Sequence, residues 1–261
     1  MLIKPRRESN PRKLVLSPTK IATYLACPLM YKYMYITKIG RFYYKPKAGH
    51  SFGASMHRAL QTFHEHGAGE TQTVEQLADH LRETWVAIGY ESVAEEQESL
   101  TEGVKMLEEY YSAPPVPGTV TIFTERQLRQ DMGEFVLLGR IDRLDQHTDG
   151  TLEIIDYKSG REDVTEDEVR HDLAMSIYQL LTKSQYPNDR VTASILCLRT
   201  GVKATVEMTA EELAAVENDV RAVAGEILAI SEDTEFEPTE KDICPICDFE
   251  KLCIKIRAQN S

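Results

Sequence analysis

The sequence predicts an α/β protein, a mixed sheet flanked by helices, with a helical elaboration before the sheet and a cysteine cluster region after it. Apolar residues recur at helical spacing up to residue 111, β-rich runs follow a proline cluster, and helical and β-rich patterns then alternate. With 261 residues, we expect one domain over 1–261. It would comprise a mainly helical part (17–118), a sheet core (119–208) and a C-terminal helix with the cysteine cluster (209–261).

Four helices are predicted in the first part. Ser17-Pro18 is typical of an N-cap followed by proline at the first helical position, and Pro28 restarts the helix after Cys27. A helix over 51–66 carries an apolar stripe, which consists of Phe52, Met56, Leu60 and Phe63. Further helical patterns cover 73–88 and 96–111. The prolines at 114, 115 and 117 then end the helical part.

Three strands should follow the prolines. TVTIFTERQLR and EFVLLGRIDRLD flank a polar turn around residues 131–133, which predicts an antiparallel hairpin. The turn HTDG leads into a third strand, TLEIIDYKS. A helix over 166–184, a strand over 191–198, a short strand in VKATVEM and a long helix over 209–230 complete the order.

The charge of the chain is unevenly distributed. A net charge of −12 argues against indiscriminate binding to polyanions, but two basic groups open the chain. They are Lys4, Arg6, Arg7, Arg12 and Lys13, then Lys32, Lys38, Arg41, Lys45 and Lys47. The second group is interleaved with Tyr31, Tyr33, Tyr35, Phe42, Tyr43 and Tyr44. Such a mixture can stack bases while neutralising phosphates, or it can be core aromatics beside a solvated face.

No segment has the length and apolar character of a signal peptide or a transmembrane helix. We therefore expect a cytoplasmic protein without membrane contact.

Two carboxylates and a lysine are predicted to converge at the strand ends. Asp156 and Lys158 alternate onto the same face of one strand, and hairpin pairing brings Asp142 towards them. Two adjacent carboxylates repel unless a cation lies between them, and Mg²⁺ or Mn²⁺ suits such ligands. His57, on the preceding helix, could complete the metal shell, although an isolated histidine is more often a satisfied core residue. Glu125, on the first strand, either approaches the site or is an exposed strand carboxylate.

These residues resemble a known nuclease superfamily. Gly139 to Asp142 as G-x-x-D, Asp156 to Lys158 as D-x-K, and Gly53 to His57 as G-x-x-x-H are similar to the RecB-like branch of the PD-(D/E)XK nucleases. The resemblance implies a restriction-endonuclease-like core that hydrolyses DNA. It implies that His57, Asp142, Asp156 and the Tyr157 backbone carbonyl bind the metal, and that Lys158 is catalytic together with the two aspartates.

One position departs from the family pattern. The family has Gln-x-x-x-Tyr on the helix after the D-x-K strand, whereas here Ala174 precedes Tyr178. Gln179 is adjacent but falls on another face of the helix. Tyr178, Glu125, Lys32 and Arg41 are the candidate substrate contacts.

The cysteines form a second constellation. Cys244, Cys247 and Cys253 are spaced C-x2-C-x5-C, and Cys27 is the candidate fourth ligand, because Cys197 lies in an apolar strand and is expected to be buried. Four thiolates could hold zinc or an iron–sulfur cluster. The one-plus-three arrangement resembles AddB-type and CRISPR adaptation nucleases, which implies [4Fe-4S] with Zn²⁺ as the alternative.

The expected function is a metal-dependent DNA nuclease, a single-strand-preferring exonuclease in recombination, repair or CRISPR adaptation. The alternatives are a noncatalytic, cluster-stabilised DNA-binding or assembly subunit and a zinc-stabilised interaction protein. The chain has no G-x-x-x-x-G-K-[ST] phosphate loop, so any ATP-driven unwinding would come from a partner. The expected partners are DNA, single-stranded or at its ends, and a helicase or a CRISPR integrase.

Overall fold

The structure, a computed structural model, describes residues 13–113, 115–160 and 163–260. Four residues of the first basic group (Lys4, Arg6, Arg7 and Arg12) and Pro114 lie outside the described residues. Within those ranges, no helix has both the length and the apolar character needed to cross a bilayer.

Within the described ranges, five helices precede the main strands and confirm the predicted helical part. They are α1 (Pro18–Ala26), α2 (Pro28–Tyr31), α3 (Ala48–Glu65), α4 (Val74–Glu83) and α5 (Val93–Ser112), with short turns at Lys32–Ile36, Ile39–Phe42 and Ala68–Glu70. Ser17 caps α1 by accepting a hydrogen bond from Lys20 N. α4 ends five residues before the predicted position, and the chain beyond it bonds α3 instead, since Val86 N donates to Ser55 Oγ (2.9 Å).

The described part of the chain contributes six strands to the sheet. They are β1 (Leu14–Leu16), β2 (Val120–Asp131), β3 (Phe135–Gln146), β4 (Leu152–Lys158), β5 (Val191–Cys197) and β6 (Lys203–Val206). The order is β1-β3-β4-β5-β6, and β2 pairs with β3 as the predicted hairpin. β1 was not predicted, because three residues are too few to show an alternating pattern. Parallel β1–β3 and β4–β5 pairs beside antiparallel neighbours make the sheet mixed, as expected.

Along one edge, β3 pairs first with β1 and then with β4. We call the point at which β3 and β4 separate the fork. β1 pairs with residues 135–137 of β3, whereas β4 pairs only with residues 143–146. Beyond the last β3–β4 pair, Arg143 with Ile155, β4 continues alongside β5 alone. The fork therefore opens at Asp142 on β3 and Asp156 on β4.

Among the residues described after β4, four helices accompany the later strands: α6 (Glu166–His171), α7 (Leu173–Gln185), α8 (Ala210–Leu228) and α9 (Glu250–Asn260), with a short turn at Cys244–Ile246. The single helix predicted over 166–184 is wrong, because the chain breaks at Asp172 (ψ 121°). The Asp172 side chain accepts a hydrogen bond from Met175 N (2.9 Å) and caps the new helix α7. This break redirects α7 onto the sheet.

The two faces of the sheet carry separate cores. On one face, Leu137 and Ile154 pack with residues of α7 and α8, including Leu181 and Val220. On the other face, Ile155 and Tyr157 pack with α3, α4 and α5. Alternation along β4 therefore places the Asp156 and Tyr157 side chains on opposite faces.

Candidate active site

Asp142 holds the fork open through its own side chain. The register that pairs Arg143 with Ile155 would next place Asp142 opposite Asp156. Instead of a strand ladder bond, Tyr157 N donates to Asp142 Oδ2 at 3.0 Å. Asp142 and Asp156 are each 6% exposed, so both carboxylates are removed from bulk water.

Asp156 and Lys158 share a face, as strand alternation predicts. Lys158 Nζ lies 2.7 Å from Asp156 Oδ2. Burial, and then the charge of Asp142, raise the pKa of Asp156. Burial by itself lowers the pKa of Lys158, but the attraction of Asp156 is stronger than the effect of burial and raises that pKa. Despite the ion pair, Asp156 Oδ2 accepts no hydrogen bond of normal geometry from any described residue.

His57 reaches the fork from α3. Its Nδ1 lies 3.3 Å from Asp142 Oδ2 and 3.5 Å from a carboxylate oxygen of Glu125, while Nε2 donates to the Tyr157 carbonyl (3.0 Å). Burial disfavours the imidazolium, but the hydrogen bonds to Asp142 and Glu125 prevail and raise the pKa of His57 to about 10. The structure thus brings His57, Asp142 and the Tyr157 carbonyl together, whereas Asp156 lies outside the group of side-chain ligand atoms that are within 4.8 Å of one another in the described residues.

Glu125 lies nearer to the centre of the site than the sequence indicated. The pairs that flank it, Thr124 with Arg143 and Arg126 with Ile141, place it across from Asp142. Ligand atoms of Glu125, His57 and Asp142 all lie within 4.8 Å of one another. The backbone of Glu125 has φ +46°, a conformation that costs energy for a residue with a side chain. Counting outwards from the hairpin turn would have found it, because Glu125 and Asp142 are equally distant from residues 133 and 134.

Tyr178 faces the site from α7, whereas its expected partner is absent. Burial, and then the charges of Asp156 and Asp142, raise the pKa of Tyr178. Ala174 packs against the core, so no amide projects from the position one turn earlier. Gln179 points away and is 1% exposed, and its Oε1 accepts from Met208 N (3.0 Å). This agrees with the prediction that Gln179 lies on another face.

Gly139 allows α7 to approach β3 closely. A Cβ at this position would lie 2.7 Å from Leu181 Cδ1 and 2.8 Å from Tyr178 Cδ1. We expect Gly139→Ala to lower the free energy of unfolding by about 1–3 kcal/mol through overpacking. The matched control is Gly225→Ala on α8, where nothing lies within 4 Å of the added methyl. Urea denaturation should show Gly225→Ala equal to or more stable than wild type; equal stability of Gly139→Ala would contradict the close packing.

A buried arginine network, which the sequence did not indicate, supports Tyr157 from the opposite face. Arg143 Nη1, which carries two N–H groups, lies within hydrogen-bonding distance of His64 Nε2 (2.6 Å), Tyr110 OH (2.6 Å) and Tyr157 OH (2.9 Å). Its Nη2 lies 3.1 Å from Asp145 Oδ2. The side chain of Arg143 is 12% exposed, so this charge is held largely by Asp145 and neutral acceptors.

His64 is held neutral in this network, which predicts acid sensitivity. Burial, then the charge of Arg143, lower the pKa of His64 to about 3. In the unfolded chain, His64 becomes protonated below its unperturbed pKa of about 6.5, whereas in the folded protein it stays neutral. The free energy of unfolding therefore decreases as the pH falls from that value towards the pKa of His64 in the folded protein. Between pH 7 and 5 the loss should be about 2 kcal/mol.

The comparison with His64→Gln isolates that contribution, since the amide oxygen can still accept from Arg143 but does not titrate. Urea denaturation at pH 7 and pH 5 should show a smaller loss in His64→Gln than in wild type. Equal losses in the two proteins would show that His64 is not the titrating group.

The four candidate cluster cysteines come from both ends of the described chain. Cys27 lies between α1 and α2, Cys244 and Cys247 flank the Cys244–Ile246 turn, and Cys253 lies in α9. All four are free thiols, and the pKa of Cys253 is raised by burial and then by Cys247, Cys27 and Cys244. No three of their sulfur atoms, all within the described residues, lie within 4.8 Å of one another. Cys197 is 1% exposed in β5, which confirms its prediction as a core residue.

The basic residues chosen as substrate contacts differ in their surroundings. Lys32 Nζ donates to the Thr234 carbonyl (2.6 Å), so it secures the chain after α8. Arg41 is exposed, and its guanidinium lies 4.6 Å from the centre of the Phe42 ring.

Comparisons with known proteins identify the family. The sequence model of the PD-(D/E)XK nuclease superfamily matches residues 15–254. Among solved structures, a candidate exonuclease from Eubacterium rectale has 12% identity and a TM-score of 0.49, with 97% of this chain and 93% of that one covered. The protein SSO0001 has 10% identity and a TM-score of 0.41, with 94% and 89% covered. No curated protein matches the sequence. On the family match over nearly its whole length, the chain belongs to the PD-(D/E)XK nuclease superfamily.

Proposed function

We propose that this nuclease hydrolyses DNA phosphodiester bonds with Mg²⁺ or Mn²⁺ bound at the fork between β3 and β4. One observation carries the proposal: Asp142 and Asp156 are buried opposite each other beside Lys158, an arrangement that is costly without a cation. The sequence motifs and the family match support the same conclusion.

The residues at the fork fit a hard divalent cation. Asp156 Oδ2 is buried with Lys158 Nζ 2.7 Å away, and the His57–Glu125–Asp142 group offers three ligand atoms close together. Carboxylate and carbonyl oxygens are the ligands that Mg²⁺ and Mn²⁺ prefer. We assign His57, Asp142, Asp156 and the Tyr157 carbonyl as ligands, and the structure adds Glu125 as a candidate.

The residues around the fork divide the chemistry among them. When bound, the cation polarises the phosphate and lowers the pKa of the attacking water. Lys158, held by Asp156, adds positive charge where the phosphate becomes more negative. Tyr178 lies near both aspartates and is placed to contact the substrate.

We propose that Cys27, Cys244, Cys247 and Cys253 bind a [4Fe-4S] cluster with a structural role. The arrangement of one cysteine far upstream and three near the end supports this by its resemblance to AddB-type and CRISPR adaptation nucleases, with zinc as the alternative. Anaerobic purification should yield a brown protein with equal iron and acid-labile sulfide. A colourless protein containing zinc would refute the cluster.

A second candidate function is motivated by Ala174. Without the family glutamine, the chain could act as a noncatalytic DNA-binding or assembly subunit. That function predicts DNA binding without metal-dependent turnover. The family match and the proximity of His57 to Asp142 and of Lys158 to Asp156 support the nuclease over this alternative.

The test uses end-labelled single-stranded DNA and a duplex of the same sequence, with Mn²⁺, with Mg²⁺ or with neither. Wild type should cleave the single strand preferentially and only with metal, whereas Asp156→Ala and Lys158→Ala should lose cleavage. Undiminished cleavage by both variants would overturn the assignment. DNA binding without cleavage by wild type would favour the noncatalytic subunit.

The biological setting that we propose is recombination, repair or CRISPR adaptation, with a helicase or a CRISPR integrase as partner. The absence of a phosphate-loop motif from the sequence supports the need for a separate motor.

A further inference from the structure

An exposed segment next to α3 has a composition unlike the rest of this acidic protein. Residues 13–64 contain eight lysines and arginines and no aspartate or glutamate, in a chain of net charge −12. Within residues 38–47, which we call the aromatic-basic loop, all four basic residues are exposed: Lys38, Arg41, Lys45 and Lys47. A phosphate backbone is the natural complement of such a segment.

Two aromatic rings of the loop are left open to solvent. Phe42 is 72% and Tyr44 is 61% exposed, and they are the only aromatic residues among the large hydrophobic side chains exposed in the described parts of the chain. The other aromatic residues nearby are occupied. Tyr33 and Tyr43 pack on Phe249 with ring centres 5.2 and 5.4 Å away, and Tyr31 is 1% exposed. Exposed rings between exposed cations match the pattern by which proteins stack unpaired bases.

The loop is held firmly from beneath. Tyr43 packs on Phe249, and the backbone at Gly40 also lies close to this ring, since a Cβ at Gly40 would be 3.5 Å from Phe249 Cζ. In addition, Lys47 Nζ donates to the Ile246 carbonyl (3.2 Å). Packing on one side therefore presents Phe42 and Tyr44 on the other. A rigid platform loses little conformational entropy when a ligand binds.

The loop also leads directly to the proposed metal site. α3 begins at Ala48, immediately after Lys47, and carries His57. Ten residues of helix span about 15 Å. A DNA strand bound to the loop is therefore within a few nucleotides of the fork.

We propose that the aromatic-basic loop binds single-stranded DNA, with Phe42 and Tyr44 stacking on two bases and its basic side chains neutralising the adjacent phosphates. This rests on the proposed function, and it names the surface that delivers the strand to the fork. Bases paired in a duplex are stacked on each other and do not offer their faces to the two rings. The loop therefore selects single strands.

The test measures fluorescence anisotropy of a labelled single strand and of a blunt duplex, with the full chain and without added divalent metal, so that binding is separate from cleavage. Phe42→Ala/Tyr44→Ala should weaken single-strand binding by about 10- to 100-fold and duplex binding by less than about threefold. Lys38→Gln/Lys45→Gln, which leaves the Lys47 contact to Ile246 intact, should reduce the slope of log affinity against log salt by about 1.4 on the single strand.

The matched control is Val93→Ala/Lys105→Gln, which removes an exposed apolar side chain and an exposed lysine elsewhere, and it should bind like wild type. Unchanged single-strand affinity in Phe42→Ala/Tyr44→Ala would overturn the proposal and leave the loop as a surface for a protein partner. Equal weakening on single strand and duplex would also overturn it. If wild type binds through the loop but does not cleave with Mn²⁺, the nuclease proposal fails while this one stands.

Discussion

Asp156→Asn is expected to lower metal-dependent DNA cleavage by roughly a thousandfold, while the metal-free protein becomes more stable. The rate falls because an amide is a weaker ligand for the cation than a carboxylate. The cation stabilises the charge of the transition state by several kcal/mol, and each 1.36 kcal/mol of that stabilisation changes the rate about tenfold. Stability rises because the folded protein holds this carboxylate buried near Asp142. A carboxyl pKa raised by folding means that the ionised form destabilises the folded state at neutral pH, here by up to about 3 kcal/mol.

The matched control is Asp219→Asn, the same change at an exposed position on α8. It should leave both cleavage and stability as in wild type. Single-turnover cleavage with Mn²⁺ and urea denaturation without metal give the two quantities. If Asp156→Asn loses stability along with activity, then Asp156 is a structural residue and the account of the fork is wrong.

Arg143→Met should produce the largest loss of stability among single changes near the site, about 3–5 kcal/mol. The substitution keeps an unbranched side chain but leaves Asp145 buried beside two phenols and a neutral histidine. It should also weaken Mn²⁺ binding, because Arg143 fixes Tyr157, whose backbone donates to Asp142 and accepts from His57.

Urea denaturation of Arg143→Met, Asp145→Asn and the double variant separates the contributions. The double variant should recover part of the loss, since the amide introduced by Asp145→Asn is neutral and Thr121 Oγ1 could still bond to it. A cost below about 1 kcal/mol for Arg143→Met would show that the network adds little net stability, as surface ion pairs do.

Much of the site could be predicted because Asp142, Asp156 and Lys158 lie close together in the sequence, on the consecutive strands β3 and β4. Alternation along β4 places Asp156 and Lys158 on one face, and the turn between β3 and β4 brings Asp142 opposite Asp156. His57 was predicted differently, through the G-x-x-x-H motif, since no local pattern joins α3 to the strands.

The remaining features depend on tertiary structure. Glu125 is an exception, because its position opposite Asp142 follows from the β2–β3 register counted from the turn, and the irregularity between Thr121 and Phe123 lies farther from the turn. The Arg143 network joins α3, α5 and two strands, and an arginine within a strand looks like an exposed residue in a sequence. The break between α6 and α7 at Asp172 could not be predicted, because the residues on both sides favour a helix. It becomes evident only in the structure, where the Asp172 side chain caps α7.

The central claim is a divalent cation bound between β3 and β4, and anomalous X-ray diffraction from crystals grown with Mn²⁺ tests it most directly. The account predicts a manganese peak at the fork, at about 2.0–2.3 Å from carboxylate oxygens of both Asp142 and Asp156, with His57 in the same shell. In Asp156→Asn crystals that peak should be lost or much weaker. Full-occupancy manganese elsewhere, with the Asp142 and Asp156 carboxylates unliganded, would contradict it.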